Sequence, residues 1–255
     1  MYLWKAWHDS RARVMLYILA ALGVGVLFGL DVMSEANWHA YWMIFFKARP
    51  SLSYNFYMDV TLWNLRGVVS YGQIAVLAAG LSLGASSTGR EYSAGAMNFV
   101  LTRPDPRRNF VLTDWTVGLT AIVIIVSGLA FPVLPFLCLV HAQGPGNVLG
   151  GLPALWVLGA AIYGLSHFTT LVAGSAPRGL ILSVATVLTY SFLPTALHEW
   201  WHTDTLLRAT DWTLRVFDYE IWPLSPFDWS VTAFWLAVAA GFLGASVAWI
   251  RFREV

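Results

Sequence analysis

Apolar positions run through this chain in long blocks, and polar positions gather between them. Six blocks approach the ~20 residues that a helix needs to cross a bilayer. They cover 14–33, 67–86, 116–140, 153–173, 179–196 and 230–250. Pro132 and Pro135 fall in the third block and predict a kink or break in its second half. Residues 1–13 are short and amphipathic. Trp4 and Trp7 are three apart, hence on one helical face, with Lys5, Arg11 and Arg13 nearby. That pattern predicts an interfacial helix lying on the membrane ahead of the first span. The block 14–33 is long for the apolar region of a signal peptide, and no clear A-x-A site ends it. A retained anchor is the expectation.

Composition narrows the class. The chain is 58% hydrophobic and 11% charged, where soluble domains carry about 25% charged residues. Most of it therefore faces something other than water. A formal charge of +1 argues against a nucleic-acid binder, which would show a basic face. Cys138 is the only cysteine, so no disulfide closes within the chain. The 14 tryptophans fall mostly at block ends and in polar loops, as side chains of the membrane–water interface do.

Six spans put both termini on one side, and the basic residues choose the side. With the N-terminus inside, the inner segments hold Lys5, Arg11, Arg13, Arg90, Arg103, Arg107, Arg108, Arg178, Arg251 and Arg253. The outer ones hold Lys47, Arg49, Arg66, Arg208 and Arg215. Ten against five predicts both termini in the cytoplasm. Two outer segments are long. Residues 34–66 are rich in aromatics and are expected along the outer interface, and residues 197–229 are expected to form one or two short helices.

The longest basic polar stretch, Gly89–Trp115, then lies inside. Glu91 precedes a short amphipathic run with Gly95, Met97, Phe99 and Leu101, and Pro104 and Pro106 stop it. Glu91, three residues, Gly95, then Val100-Leu101-Thr102-Arg103-Pro104, Arg107 and Phe110 resembles the signature of type-2 ABC exporter permeases. In that family the signature also lies between the second and third spans. The layout is similar as well: an amphipathic N-terminal helix, six spans and an outer helical insertion between spans five and six. Ala96 departs from the family's usual threonine, and Asp114 from its frequent lysine.

The resemblance implies an all-α integral membrane permease, a single domain over 1–255, whose cytoplasmic coupling helix docks on a separate ATPase subunit. The contact residues it implies are Arg90, Glu91, Gly95, Met97, Phe99, Leu101, Arg103, Pro104 and Arg107, with help from Trp4, Trp7 and Arg11. It implies two permease and two ATPase subunits in a bacterial cytoplasmic membrane, the permeases forming a homo- or heterodimer. Spans two and five of the family face the pathway, which makes Tyr71, Gln73, Tyr190 and Phe192 the lining candidates. ATP and Mg belong to the partner. A phosphate-binding loop needs G-x4-G-K-[ST], and the only lysines, Lys5 and Lys47, follow no such glycines. No cofactor is expected on this chain.

One constellation points elsewhere. His198-Glu199-Trp200-Trp201-His202 is H-E-x-x-H, which on a helix offers two histidines to zinc and a glutamate as general base. A membrane-anchored zinc peptidase is the alternative it carries, with Glu220 as a third ligand. Its place at the outer end of span five, with tryptophans at both x positions, fits an interfacial belt instead.

No Asp, Glu, Lys or Arg falls deep within the six blocks, which favours an apolar or amphipathic substrate over proton or ion coupling. Gln73 and His167 are the buried polar exceptions, expected as interhelical hydrogen-bonders. Small residues four apart, Gly25/Gly29, Gly80/Gly84 and Gly241/Ala245, predict close helix packing.

Overall fold

The computed structural model describes residues 2–45, 74–89, 91–92, 107–135, 145–201 and 229–252. Among them there is no strand. Six helices account for nearly all of these residues: α1 (Tyr2–Phe45), α2 (Ile74–Gly89), α3 (Arg107–Ala130), α4 (Pro145–Ala173), α5 (Ala176–Trp201) and α6 (Trp229–Phe252). Four are long and apolar enough to cross a membrane, through Ser10–Leu27, Arg108–Pro135, Leu155–Ala173 and Thr232–Phe252. The protein is an all-α, multi-pass membrane protein.

Local chemistry explains the helix ends. Pro145 opens α4, where its missing N–H costs nothing. The same helix stops at Gly174, whose positive φ of 66° places it in the left-handed region that glycine tolerates. Its N–H closes the last turn on the Thr170 carbonyl at 3.0 Å. Pro177 then sits in the first turn of α5, where it removes no helical bond. In α3, the expected break occurs at Phe131-Pro132, where the helix gives way to a turn.

At two expected boundaries the helices run differently. The interfacial helix at 1–13 and the span from 14 are one continuous helix of 44 residues. Nothing at the junction breaks it. Ser10, the one strong capping residue there, donates its hydroxyl back to the Ala6 carbonyl at 2.8 Å and so stays inside the helix. The helix of the third block begins at Arg107, ahead of 116, and ends at Ala130 before the turn at Phe131-Pro132; residues 136–140 lie outside the described residues. The reason is a core-facing ladder that hydropathy blurs. Val111, Trp115, Gly118, Ile122, Ile125 and Leu129 are spaced alternately by four and three, all buried.

The helices alternate in direction, as their contacts show. Antiparallel α3 and α4 meet at Asp114/His167, Gly118/Tyr163 and Ile122/Gly159. Parallel α2 and α4 meet at Gly80/Ile162 and Gly84/Tyr163. Gly164 and His167 of α4 meet Phe242 and Ser246 of α6, again in parallel. Helix α1 lies on α3, with the Gly25 backbone against the Leu129 carbonyl. Helix α4 is central, with 67% of its spanning window buried, whereas α1, at 17%, is peripheral. Its exposed Leu16, Leu19, Leu22, Leu27 and Leu30 would be costly in water and are at home in lipid.

Alternation gathers six helix ends at one end of the bundle: the starts of α1, α3 and α5 and the finishes of α2, α4 and α6. Every Lys and Arg whose side chain is described belongs to that end: Lys5, Arg11, Arg13, Arg108, Arg178 and Arg251. It is called the basic end below.

Candidate functional site

The polar chemistry of the described residues concentrates at the basic end, in an exposed layer and a buried one. The exposed layer holds the entry to the 93–106 segment. Lys5 Nζ, near the start of α1, pairs with Glu91 Oε1 at 2.6 Å. Glu91 is largely covered (12% exposed) and Lys5 is open (56%). Tyr92 donates its hydroxyl to the Leu171 carbonyl of α4 at 2.9 Å. Gly89, two residues before Glu91, abuts Ala176 at the start of α5. The chain leaving α2 is therefore tied to α1, α4 and α5 within four residues.

One layer deeper lies a cluster on α3, α4 and α6. Asp114 sits two turns into α3 and is 8% exposed. It was expected in the loop ahead of the span. The earlier start of α3 puts it on the same buried ladder as Val111 and Gly118, so an acidic residue does lie inside the bundle. His167 of α4 is fully buried. Its Nδ1 lies 3.3 Å from Ser246 Oγ of α6. Its Nε2 lies 3.9 Å from Asp114 Oδ2 and makes no hydrogen bond among the described residues. Tyr163, one turn before His167, donates its hydroxyl to the Asp114 carbonyl at 2.9 Å.

Aromatic rings wall this cluster. Tyr163 stacks on His167 at 5.9 Å, and Trp115 meets Tyr163 edge-on at 5.6 Å. Such contacts fix ring orientation and add about 0.5–1.5 kcal/mol each. Close backbone approach brings the helices together. A Cβ on Gly84 would come within 2.6 Å of the Tyr163 carbonyl oxygen, and one on Gly118 would collide with the Tyr163 ring. Beside the cluster, Thr169 and Ser183 link α4 to α5 through their hydroxyls at 2.6 Å.

Ser246, His167 and Asp114 follow one another like a hydrolytic triad. The resemblance ends with accessibility: Ser246 has no exposed surface, so no substrate carbonyl reaches Oγ. What the arrangement can do is join three helices through groups that must satisfy one another in an apolar interior.

The residues singled out by sequence divide as follows. Trp4, Trp7 and Arg11 lie exposed on the first turns of α1. Glu91 is in the Lys5 pair, and Arg107 opens α3. Arg90, Gly95, Met97, Phe99, Leu101, Arg103 and Pro104 lie outside the described residues, as do Tyr71, Gln73 and His202. Tyr190 is half-buried on α5 and meets Trp235 of α6 edge-on at 5.7 Å. Phe192 belongs to α5. His198 and Glu199 fall in the last turns of α5, at its far end from the basic cluster. No group of three or more metal-ligating side chains gathers among the described residues.

Comparison with family models, with curated proteins and with solved structures returns no match.

Proposed function

We propose that this chain is the permease subunit of an ATP-binding-cassette exporter, six-spanning, driven by a separate ATPase docked on residues 90–108. The observation that carries the proposal is the anchoring of that segment. It leaves α2 and enters α3 at the basic end, with Glu91 held by Lys5 and Tyr92 by the Leu171 carbonyl. A docking element must pass force to the membrane helices, and one tied to α1, α4 and α5 at its root can do so. The clustering of Lys5, Arg11, Arg13, Arg108, Arg178 and Arg251 supports a cytoplasmic position for this end. Both termini then lie in the cytoplasm.

The resemblance over Glu91–Phe110 supplies the rest of the reading. Two permeases and two ATPases form the working unit, and ATP with Mg is handled by the partner, because this chain has no phosphate-binding loop. The lipid-facing surface and the buried character of the polar cluster support an apolar or amphipathic substrate.

The test is co-purification. A phosphate-loop ATPase encoded beside this chain is expected to be retained by the full-length protein in detergent. Deleting 93–104 is expected to abolish that retention while the permease still extracts as a folded protein. Failure of the intact chain to retain the ATPase would overturn the reading.

A further inference from the structure

The gap between His167 and Asp114 has an unusual length for two fully packed polar groups. At 3.9 Å, Nε2 and Oδ2 stand about an ångström beyond a direct hydrogen bond. No other partner for Nε2 exists among the described residues. On its other side the ring is held, through Nδ1, by Ser246 of α6. On the backbone, Tyr163 holds the Asp114 carbonyl from α4. The three helices thus meet through two polar contacts that are made and one that is narrowly open.

Its position matters as much as its length. Asp114 is seven residues from the start of α3, the helix that follows the 93–106 segment directly. A shift of that helix start moves Asp114 together with Phe110 and Val111, and so changes the Asp114–His167 distance.

We propose that Asp114, His167 and Ser246 form a latch that sets how closely the start of α3 is held against α4 and α6. Closing brings Oδ2 onto Nε2 and fixes α3. Opening loosens the start of α3 while Tyr163 and the apolar ladder keep the bundle assembled. All three act as positioning residues. The latch belongs to the helices themselves and stands whether or not an ATPase binds the preceding segment.

The experiment uses the full chain in lipid nanodiscs, with Cys138→Ser and spin labels at Arg108→Cys on α3 and Arg251→Cys on α6. Both labelled positions are exposed. Without further change, one narrow distance population is expected. Asp114→Leu and His167→Leu are expected to add a longer population, displaced by more than about 2 Å, the scale of helix shifts at interfaces. Asp114→Asn, whose amide meets either tautomer of His167, is expected to restore the narrow population. Val111→Ala serves as control: it lowers the thermal midpoint and leaves the distance unchanged, which separates a latch from general loosening. A distance unaltered in both leucine variants overturns the proposal. If neither leucine variant folds, Ser246→Ala decides: a broadened distance supports the latch and an unchanged one overturns it.

Discussion

At the scale of single residues, the basic end is held by close approach and by hydrogen bonds from buried groups. Gly84 lies against the Tyr163 carbonyl, whereas Gly244 of α6 has open space around it. Gly84→Val is therefore expected to destabilise by about 1–3 kcal/mol, the cost of overpacking. Gly244→Val is expected to be tolerated in the monomer. Thermal unfolding in detergent checks the pair. Tyr163→Phe removes the hydroxyl that satisfies the Asp114 carbonyl. It is expected to cost about 1 kcal/mol, read in the same assay. Sequence alone pointed to the small pairs Gly25/Gly29, Gly80/Gly84 and Gly241/Ala245 without ranking them. Spacing marks where a backbone is able to approach, and only the neighbouring helix decides whether it does. Gly25, Gly80 and Gly84 are used in this way, while Gly241 meets nothing. Asp114 was hidden for a related reason. Hydropathy reads the charges of Arg107, Arg108 and Asp114 as loop. The signal that reveals it is Asp114's place in the three-and-four spacing from Val111 to Gly118.

At the scale of elements, helix existence was legible and helix ends were not. Each of the six apolar blocks overlaps one of the six helices among the described residues, and four of those helices are long and apolar enough to cross a membrane. The ends depend on capping and on chain breaks, and α1 shows it: with Ser10 bonded back into its own helix, no signal separates an interfacial segment from the span. The Lys5–Glu91 pair joins two elements 86 residues apart and was beyond sequence reading. Being exposed on the lysine side, it contributes at most about 1 kcal/mol to stability. Its importance is expected in docking instead. Lys5→Glu should leave the thermal midpoint nearly unchanged and weaken ATPase retention. The charge-swapped Lys5→Glu/Glu91→Lys should recover that retention. Retention unaffected by Lys5→Glu would remove the pair from the docking account.

At the scale of the whole molecule, alternating helices collect the described basic side chains, the polar cluster and the residues flanking the 93–106 segment at one end. The orientation this supports is directly measurable. In a Cys138→Ser background, Arg178→Cys should be labelled by a membrane-impermeant maleimide only when the cytoplasmic face is open to it. Labelling from the outer face of intact cells would invert the topology and with it the ATPase reading. The class of the molecule was plain from composition, since 11% charge leaves too little polar surface for a soluble fold. The proposed function rests on a motif about 25 residues long, and the most direct measurement addresses that motif. A photoreactive phenylalanine analogue at Met97 should cross-link the full-length protein to the phosphate-loop ATPase in membranes, while the same analogue at Trp200 should not. An absence of adduct from Met97, or equal adduct from both positions, would contradict docking on this segment.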